Sequence, residues 1–380
     1  MTGNTVGETD RGVNYGGFPP FRGCAKVGFM KRRAFIESAL ATAIAVRWIS
    51  NSHLANAAES TATRIRIGFL GASHPHASEK VRLTQASPDY ELVGICEDDE
   101  QVRKRYQNLG VPLLSQEKLL SDAEIIAVES AVRDHARHGR LALEAGKHVH
   151  LEKPPSDNFT EFQKLVTLAR EKKRLLQMGY MWRFHPGINA ALEAARQGWL
   201  GQVYLVRGTI NTTVEAVRRP EWAEFHGGTL FELGSHLIDP VVRLLGRPGK
   251  VTSFLKNHGG PNDALADNTV AVFEYPKTLA IVSSATLQSG AGAHRFFEVQ
   301  GTNGTALVKP IEPPKLQIDL ANAAGPYAKG IQNVPMPEYK RYAPELAELA
   351  RCARSGQPLS VTPEEDLLVQ ETLMRACEMR

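Results

Sequence analysis

From residue 64 onward, short apolar runs alternate with amphipathic stretches. Residues 64–71, 90–96, 123–128, 148–151 and 175–179 read as strands. Helical patterns lie between them, to about residue 86 and over 100–108, 134–145 and 160–173. Strands separated by helices predict βαβ units and a mostly parallel sheet. Gly146 follows the third helix, where a C-terminal cap belongs. The pattern changes after Arg183. Apolar segments 203–213, 251–256, 269–275, 279–286 and 296–301 are parted by turn residues, which predicts antiparallel pairing. Helical periods return at 342–355 and 363–377. The expected class is α/β. A Rossmann-type parallel-sheet domain spans 63–183, an α+β domain 184–345, and a C-terminal helical segment 346–380.

Charge sharpens the picture at the N-terminus. The net charge of +4 resides in residues 1–58, which hold seven Lys/Arg and three Asp/Glu. The remainder is balanced, so no basic surface for nucleic acid is expected. Lys31-Arg32-Arg33 precedes Phe35, a small apolar stretch at 39–46 and the small residues Ala55-Asn56-Ala57. That order is an export signal, and the arginine pair resembles a twin-arginine type. The predicted location is periplasmic, or cytoplasmic if this leader is not a signal. The apolar run falls short of the ~20 residues that span a bilayer, so no membrane anchor is expected. Cys24, Cys96, Cys352 and Cys377 form no paired motif, and neither a disulfide framework nor a metal site is expected.

Candidate chemistry begins at the first strand–helix junction. Gly68 and Gly71, with Ser73 and His74, stand where a dinucleotide fingerprint belongs. At such a junction backbone amides at a helix N-terminus face a pyrophosphate. Ser73 replaces the glycine that admits phosphate, and His76 replaces the packing glycine, so the motif is degenerate. Glu97 ends the second strand 26 residues after Gly71. A carboxylate there accepts hydrogen bonds from ribose hydroxyls and repels a 2′-phosphate, which favours NAD over NADP.

Several blocks then occur in register. They are Glu152-Lys153-Pro154 after the fourth strand, the preceding Ala142–Val149 run, Gly179-Tyr180 with Arg183-Phe184 and Pro186, and the block from Gly227 to Asp239. With them the chain resembles the glucose–fructose oxidoreductase, inositol dehydrogenase and MocA-like (Gfo/Idh/MocA) family over residues 64–380. The resemblance implies an open, mostly antiparallel second sheet, a C-terminal helix packed back on the first domain, and hydride transfer between a nicotinamide and a sugar, polyol or cyclitol carbinol. It implies a lysine, Lys153, that hydrogen-bonds the reacting hydroxyl, and an acid/base, His236. Glu232 stands where the family usually has Asp, four residues before His236 and positioned to orient it across one helix face. Ser130, His135, Glu152 and Pro154 are expected beside the cofactor, with Val132 where the family often has Asn. Tyr180, Arg183 and Asp239 are expected at the substrate. A tightly bound NAD and a homo-oligomer, dimer or tetramer, are implied as well. Two other functions fit the same residues: a redox-neutral NAD-dependent glycoside hydrolase or lyase, and a binding protein of the same shape without turnover.

Overall fold

The computed structural model describes residues 63–259 and 263–379. The export-signal reading at 1–58 lies outside the described residues. The first domain runs β1 (Ile65–Leu70), α1 (Ala77–Ala86), β2 (Tyr90–Cys96), α2 (Glu100–Asn108), α3 (Gln116–Asp122), β3 (Ile125–Val128), α4 (Val132–Glu144), β4 (His148–Leu151), α5 (Phe159–Glu171) and β5 (Leu176–Met178). The strands form one parallel sheet in the order β2-β1-β3-β4-β5. Every residue of β3 is buried, as is all of β1 but Arg66. Burial on both faces explains why these strands read as unbroken apolar runs.

Register is what assembles the site. Leu70 pairs with Val128, and Val128 with Leu151. The segments that follow, starting at Gly71, Glu129 and Glu152, therefore leave the sheet side by side at its carboxyl edge. Ligands of open α/β sheets bind at that edge.

The second domain contains α6 (Pro186–Arg196), β6 (Val203–Thr209), α7 (Arg219–Ala223) and α8 (Ser235–Leu245). It continues through β7 (Lys250–Lys256), β8 (Asn268–Glu274), β9 (Leu279–Ala285), β10 (Phe296–Gly301), β11 (Gly304–Val308), β12 (Leu316–Leu320) and β13 (Gly330–Val334). These strands form an eight-stranded sheet, β13-β12-β11-β10-β6-β9-β8-β7. Neighbours pair antiparallel except β6 with β9, which run parallel. The sequence pattern stops its strands at Gly301, and β11–β13 extend the sheet beyond it. α6 packs on β10 and β11, and α8 on β6 and β9.

α9 (Ala343–Ser355) and α10 (Pro363–Ala376) close the chain. Thr362 caps α10 reciprocally with Glu365, a capping box that fixes where the helix starts. Both helices return to the first domain, as the resemblance implies. The Tyr90 hydroxyl donates to the Leu346 carbonyl at 2.6 Å, and Gln370 donates to the Ser156 carbonyl at 2.6 Å.

Candidate functional site

A groove of about 670 Å3 follows the carboxyl edge of the parallel sheet. Gly71, Ser73, His74, Glu97 and Ser130 line it, with Arg133 and Arg137 from α4. Gly71 has φ +75°, and a Cβ there would meet the Ser130 Cβ at 2.4 Å. The turn thus requires glycine for both conformation and space. The Glu97 carboxylate accepts from the backbone N–H groups of Ala72 at 2.7 Å, Asp98 at 2.8 Å and Asp99 at 3.0 Å. It ties the glycine turn to the end of β2 while facing the groove. A tight glycine turn, a long groove and a fixed carboxylate at the end of β2 fit a dinucleotide.

A second hollow of about 270 Å3 adjoins the groove, and His74 lines both. Its walls include His76, Lys153, Thr212, Arg218, Trp222 and Glu232. Lys153 follows β4 and is almost wholly buried. Its Nζ donates to Glu232 Oε1 at 2.9 Å and to the Glu232 carbonyl at 2.9 Å. An ammonium has three N–H donors, so one remains for a ligand in the hollow. Burial pushes the Glu232 carboxyl up, but the Lys153 charge and His74 outweigh burial and hold it well below the usual range.

Glu232 does not orient His236. Residues Leu230–Gly234 form a widened, π-type turn before α8, so the ordinary four-residue register between Glu232 and His236 is lost. The carboxylate turns to Lys153 instead. His236 stands one ring behind the hollow, with ring centroids 6.1 Å from His76 and 5.4 Å from Trp182. Its Nδ1 is buried without a partner, and burial pushes its pKa well down, so the ring is neutral.

Behind the hollow lies a charged cluster with no sequence signal. Lys80, on the inner face of α1, is fully buried. Its Nζ contacts Glu129 Oε1 at 2.7 Å, Glu152 Oε2 at 2.6 Å, His150 Nε2 at 2.7 Å and Glu345 Oε1 at 3.7 Å. Burial pushes Glu129 up to about 8 and Glu345 up to about 7. Burial would raise Glu152 too, but Lys80 and the adjacent histidines outweigh it and keep that carboxyl ionised.

Other expected site residues take structural places. Gly68 lies within β1, where a Cβ would meet Leu119 Cδ1 at 2.5 Å; it serves packing and does not reach the groove. His135 is buried and bridges the carbonyls of Pro154 at 2.7 Å and Ser130 at 3.0 Å, holding two loops together. Glu152 points into the Lys80 cluster, away from the groove. Arg183 is enclosed by Asp239 at 2.7 Å and Asp366 at 2.7 Å, so neither Arg183 nor Asp239 offers a free group to a substrate. Tyr180 lies under the Arg183 guanidinium, its ring centroid 4.7 Å from Cζ, and is buried as well. A three-residue ion cluster was not visible in the sequence, because Asp366 lies 183 positions from Arg183.

Residues 65–180 match the profile of an oxidoreductase family with an NAD-binding Rossmann fold, and residues 188–307 match the GFO/IDH/MocA C-terminal domain. D-glucoside 3-dehydrogenase of Escherichia coli is 29% identical over 204 residues, covering 50% of this chain and 56% of that protein. An uncharacterized oxidoreductase of Schizosaccharomyces pombe is 27% identical, over 58% of this chain and 62% of that protein. The chain thus spans little more than half the length of these two relatives. The NADP-dependent scyllo-inositol 2-dehydrogenase of Bacillus subtilis is 23% identical over 83% of this chain and 93% of its own. Among solved structures, UDP-N-acetylglucosamine 3-dehydrogenase from Acidithiobacillus ferrooxidans superimposes with a TM-score of 0.70 at 17% identity, over 83% of this chain and 97% of that one. GenD2 from gentamicin A biosynthesis, in complex with NAD, gives 0.70 at 20% identity, over 83% and 93%. At these identities the likeness of the solved structures is one of fold.

Proposed function

The chain belongs to the Gfo/Idh/MocA oxidoreductase family, and on that premise we propose that it transfers hydride between a tightly held NAD and a secondary carbinol of a sugar, polyol or cyclitol. The observation that carries this reading is Lys153. Its buried ammonium, fixed by Glu232, stands in a hollow that shares His74 with the dinucleotide groove. A bound nicotinamide supplies the hydride acceptor or donor. Lys153 offers its remaining N–H to the reacting hydroxyl and stabilises alkoxide character there. Glu232 holds that ammonium in place and balances its charge. His236, with a free Nδ1 one ring behind the hollow, is the proton acceptor that the family resemblance implies, reached from the hollow across His76. Similarity to a glucoside dehydrogenase and an inositol dehydrogenase supports a polyhydroxylated substrate.

Residues 1–58 support export through the twin-arginine route. An exported enzyme of this kind keeps its nucleotide through turnover, because no free nicotinamide pool awaits it outside the cytoplasm. Mass spectrometry of the nucleotide released from denatured, freshly purified protein tests the reading. NAD at close to one per chain is expected. Protein free of nucleotide, with no thermal shift on adding NAD or NADP, overturns it.

A further inference from the structure

The residues that depart from the usual glycine loop converge on one point. His74 and His76 face each other with ring centroids 4.6 Å apart and planes nearly perpendicular, at 83°. His76 Nδ1 is 3.2 Å from Glu152 Oε1, and His74 Nε2 is 3.6 Å from Glu232 Oε1. Neither approach makes a hydrogen bond, and both nitrogens are buried without a partner. The His74 side chain is only 3% exposed. One nitrogen of each histidine and one Glu152 oxygen lie within 4.8 Å of one another. Ligands at the ~2.0–2.1 Å bond lengths of zinc stand about 3.3 Å apart, so small side-chain rotations close the set.

Lys80 fixes Glu152 through Oε2, and Oε1, which accepts the Lys153 backbone N–H at 3.0 Å, faces His76. Such an outer contact orients a ligand. Ligation through His74 Nε2 places that ring's proton on Nδ1. It displaces the 3.3 Å contact from the His76 N–H and turns the proton toward Glu129 Oε2, 4.0 Å away and itself unpartnered.

We propose that His74, His76 and Glu152 hold a divalent ion of the zinc class at the floor of the hollow, beside Lys153. Two imidazoles and one carboxylate are a catalytic-type ligand set that leaves a coordination position open. His74 and His76 line the hollow, so that position faces it. There the ion binds an oxygen of the ligand. The binding site stands on these residues alone; only its use on a carbinol or carbonyl oxygen rests on the redox reading above.

The full-length protein is stripped with dipicolinate, dialysed and titrated with Zn2+, bound metal being counted by elemental mass spectrometry. Co2+ is then added and its visible d–d absorption recorded. One ion per chain is expected, with the intense bands of low-coordinate Co2+. His74→Ala and His76→Ala should each weaken binding by roughly 100-fold or more. The exposed His226, 62% accessible in its side chain, provides a control in His226→Ala, which should bind as wild type. His76→Gln, which keeps a polar side chain, guards against an unfolded alanine variant, with circular dichroism recorded for each. No stoichiometric Zn2+, or binding equal in the His74→Ala/His76→Ala double variant, overturns the site. Nucleotide content is measured on the same preparations, so wild-type protein that carries NAD yet takes up no stoichiometric Zn2+ refutes this site and leaves the redox reading standing.

Discussion

Two buried lysines follow strands of the same sheet, Lys80 ten residues after β1 and Lys153 two after β4, and their settings differ. Lys80 is enclosed by three carboxylates and a histidine, and faces no cavity. Lys153 has one carboxylate and one carbonyl, and lines a hollow. The first ammonium has every donor spent on protein and the second keeps one in reserve. An ion fully satisfied by its own chain holds structure together. An ion left one contact short is prepared to bind something else.

The sharpest way to break this comparison is to remove each charge. Lys80→Met strands Glu129, Glu152 and Glu345 together in a dry interior. Breaking a buried ion cluster by removing one partner costs about 3–5 kcal/mol, and that loss is expected in urea unfolding. A loss under about 1 kcal/mol makes Lys80 dispensable and removes the structural half of the contrast. Lys153→Met leaves one carboxylate, beside a hollow that water enters. Its stability cost should be well under half that of Lys80→Met. Turnover, in contrast, should fall about 10²–10³-fold, the usual loss for a single donor to a developing oxyanion. Unchanged turnover in Lys153→Met eliminates the catalytic assignment.

A smaller effect comes from buried rings that carry no charge. Burial pushes His138 and His185 down to about 4 and depresses His135 and His148 as well. Each is a base whose folded pKa lies below its unfolded value near 6.5. The unfolded chain therefore binds more protons below pH 6.5. Stability is full above that pH and falls as pH drops toward 4. Glu129, at about 8, Glu345, at about 7, and Asp366, at about 6, act oppositely: their folded pKa values are raised, so they favour the folded chain as pH falls from 7 toward 4. The histidines outnumber them, and a net loss of about 2 kcal/mol is expected between pH 7 and pH 5, at up to ~1.4 kcal/mol per proton per unit. Thermal melts at fixed ionic strength measure it. A melting temperature that holds or rises on acidification puts the carboxyl groups in control.

How much of this was legible follows from distance along the chain. The β1–β5 alternation and Lys153 were readable because they rest on local periods and a short motif. β12 was missed although Leu316–Leu320 alternates buried and exposed residues, since five residues between turns give a weak signal. The Lys80 cluster was unreadable: residues 80, 129, 150, 152 and 345 meet only through sheet register and the returning α9. His236 and Glu232 were correctly placed in one block, yet their pairing failed, because a widened turn changes the register that sequence spacing assumes. In sequence, metal chemistry is sought among the cysteines, whereas His76 reads as a substitute for the packing glycine and His74 as a cofactor contact, so the proposed ligand set has no local signal.

The smallest expected effect bears on the groove. Glu97 already accepts three backbone N–H groups, from Ala72, Asp98 and Asp99, so its carboxylate is a brace for the glycine turn before it is a ribose ligand. If the brace dominates, Glu97→Gln weakens NAD and NADP alike, because the loop loosens and an amide oxygen keeps only part of the contacts. If ribose contact dominates, the variant loses affinity for NAD by a few-fold and gains for NADP, because repulsion of the 2′-phosphate is gone. The second outcome is expected, with a change in the NAD/NADP ratio of about 5–10-fold, equivalent to ~1–1.4 kcal/mol. Calorimetric titration of both nucleotides into stripped protein measures the ratio. An unchanged ratio with both affinities reduced assigns Glu97 to the turn and leaves discrimination to Asp98 and Arg103, which line the same groove.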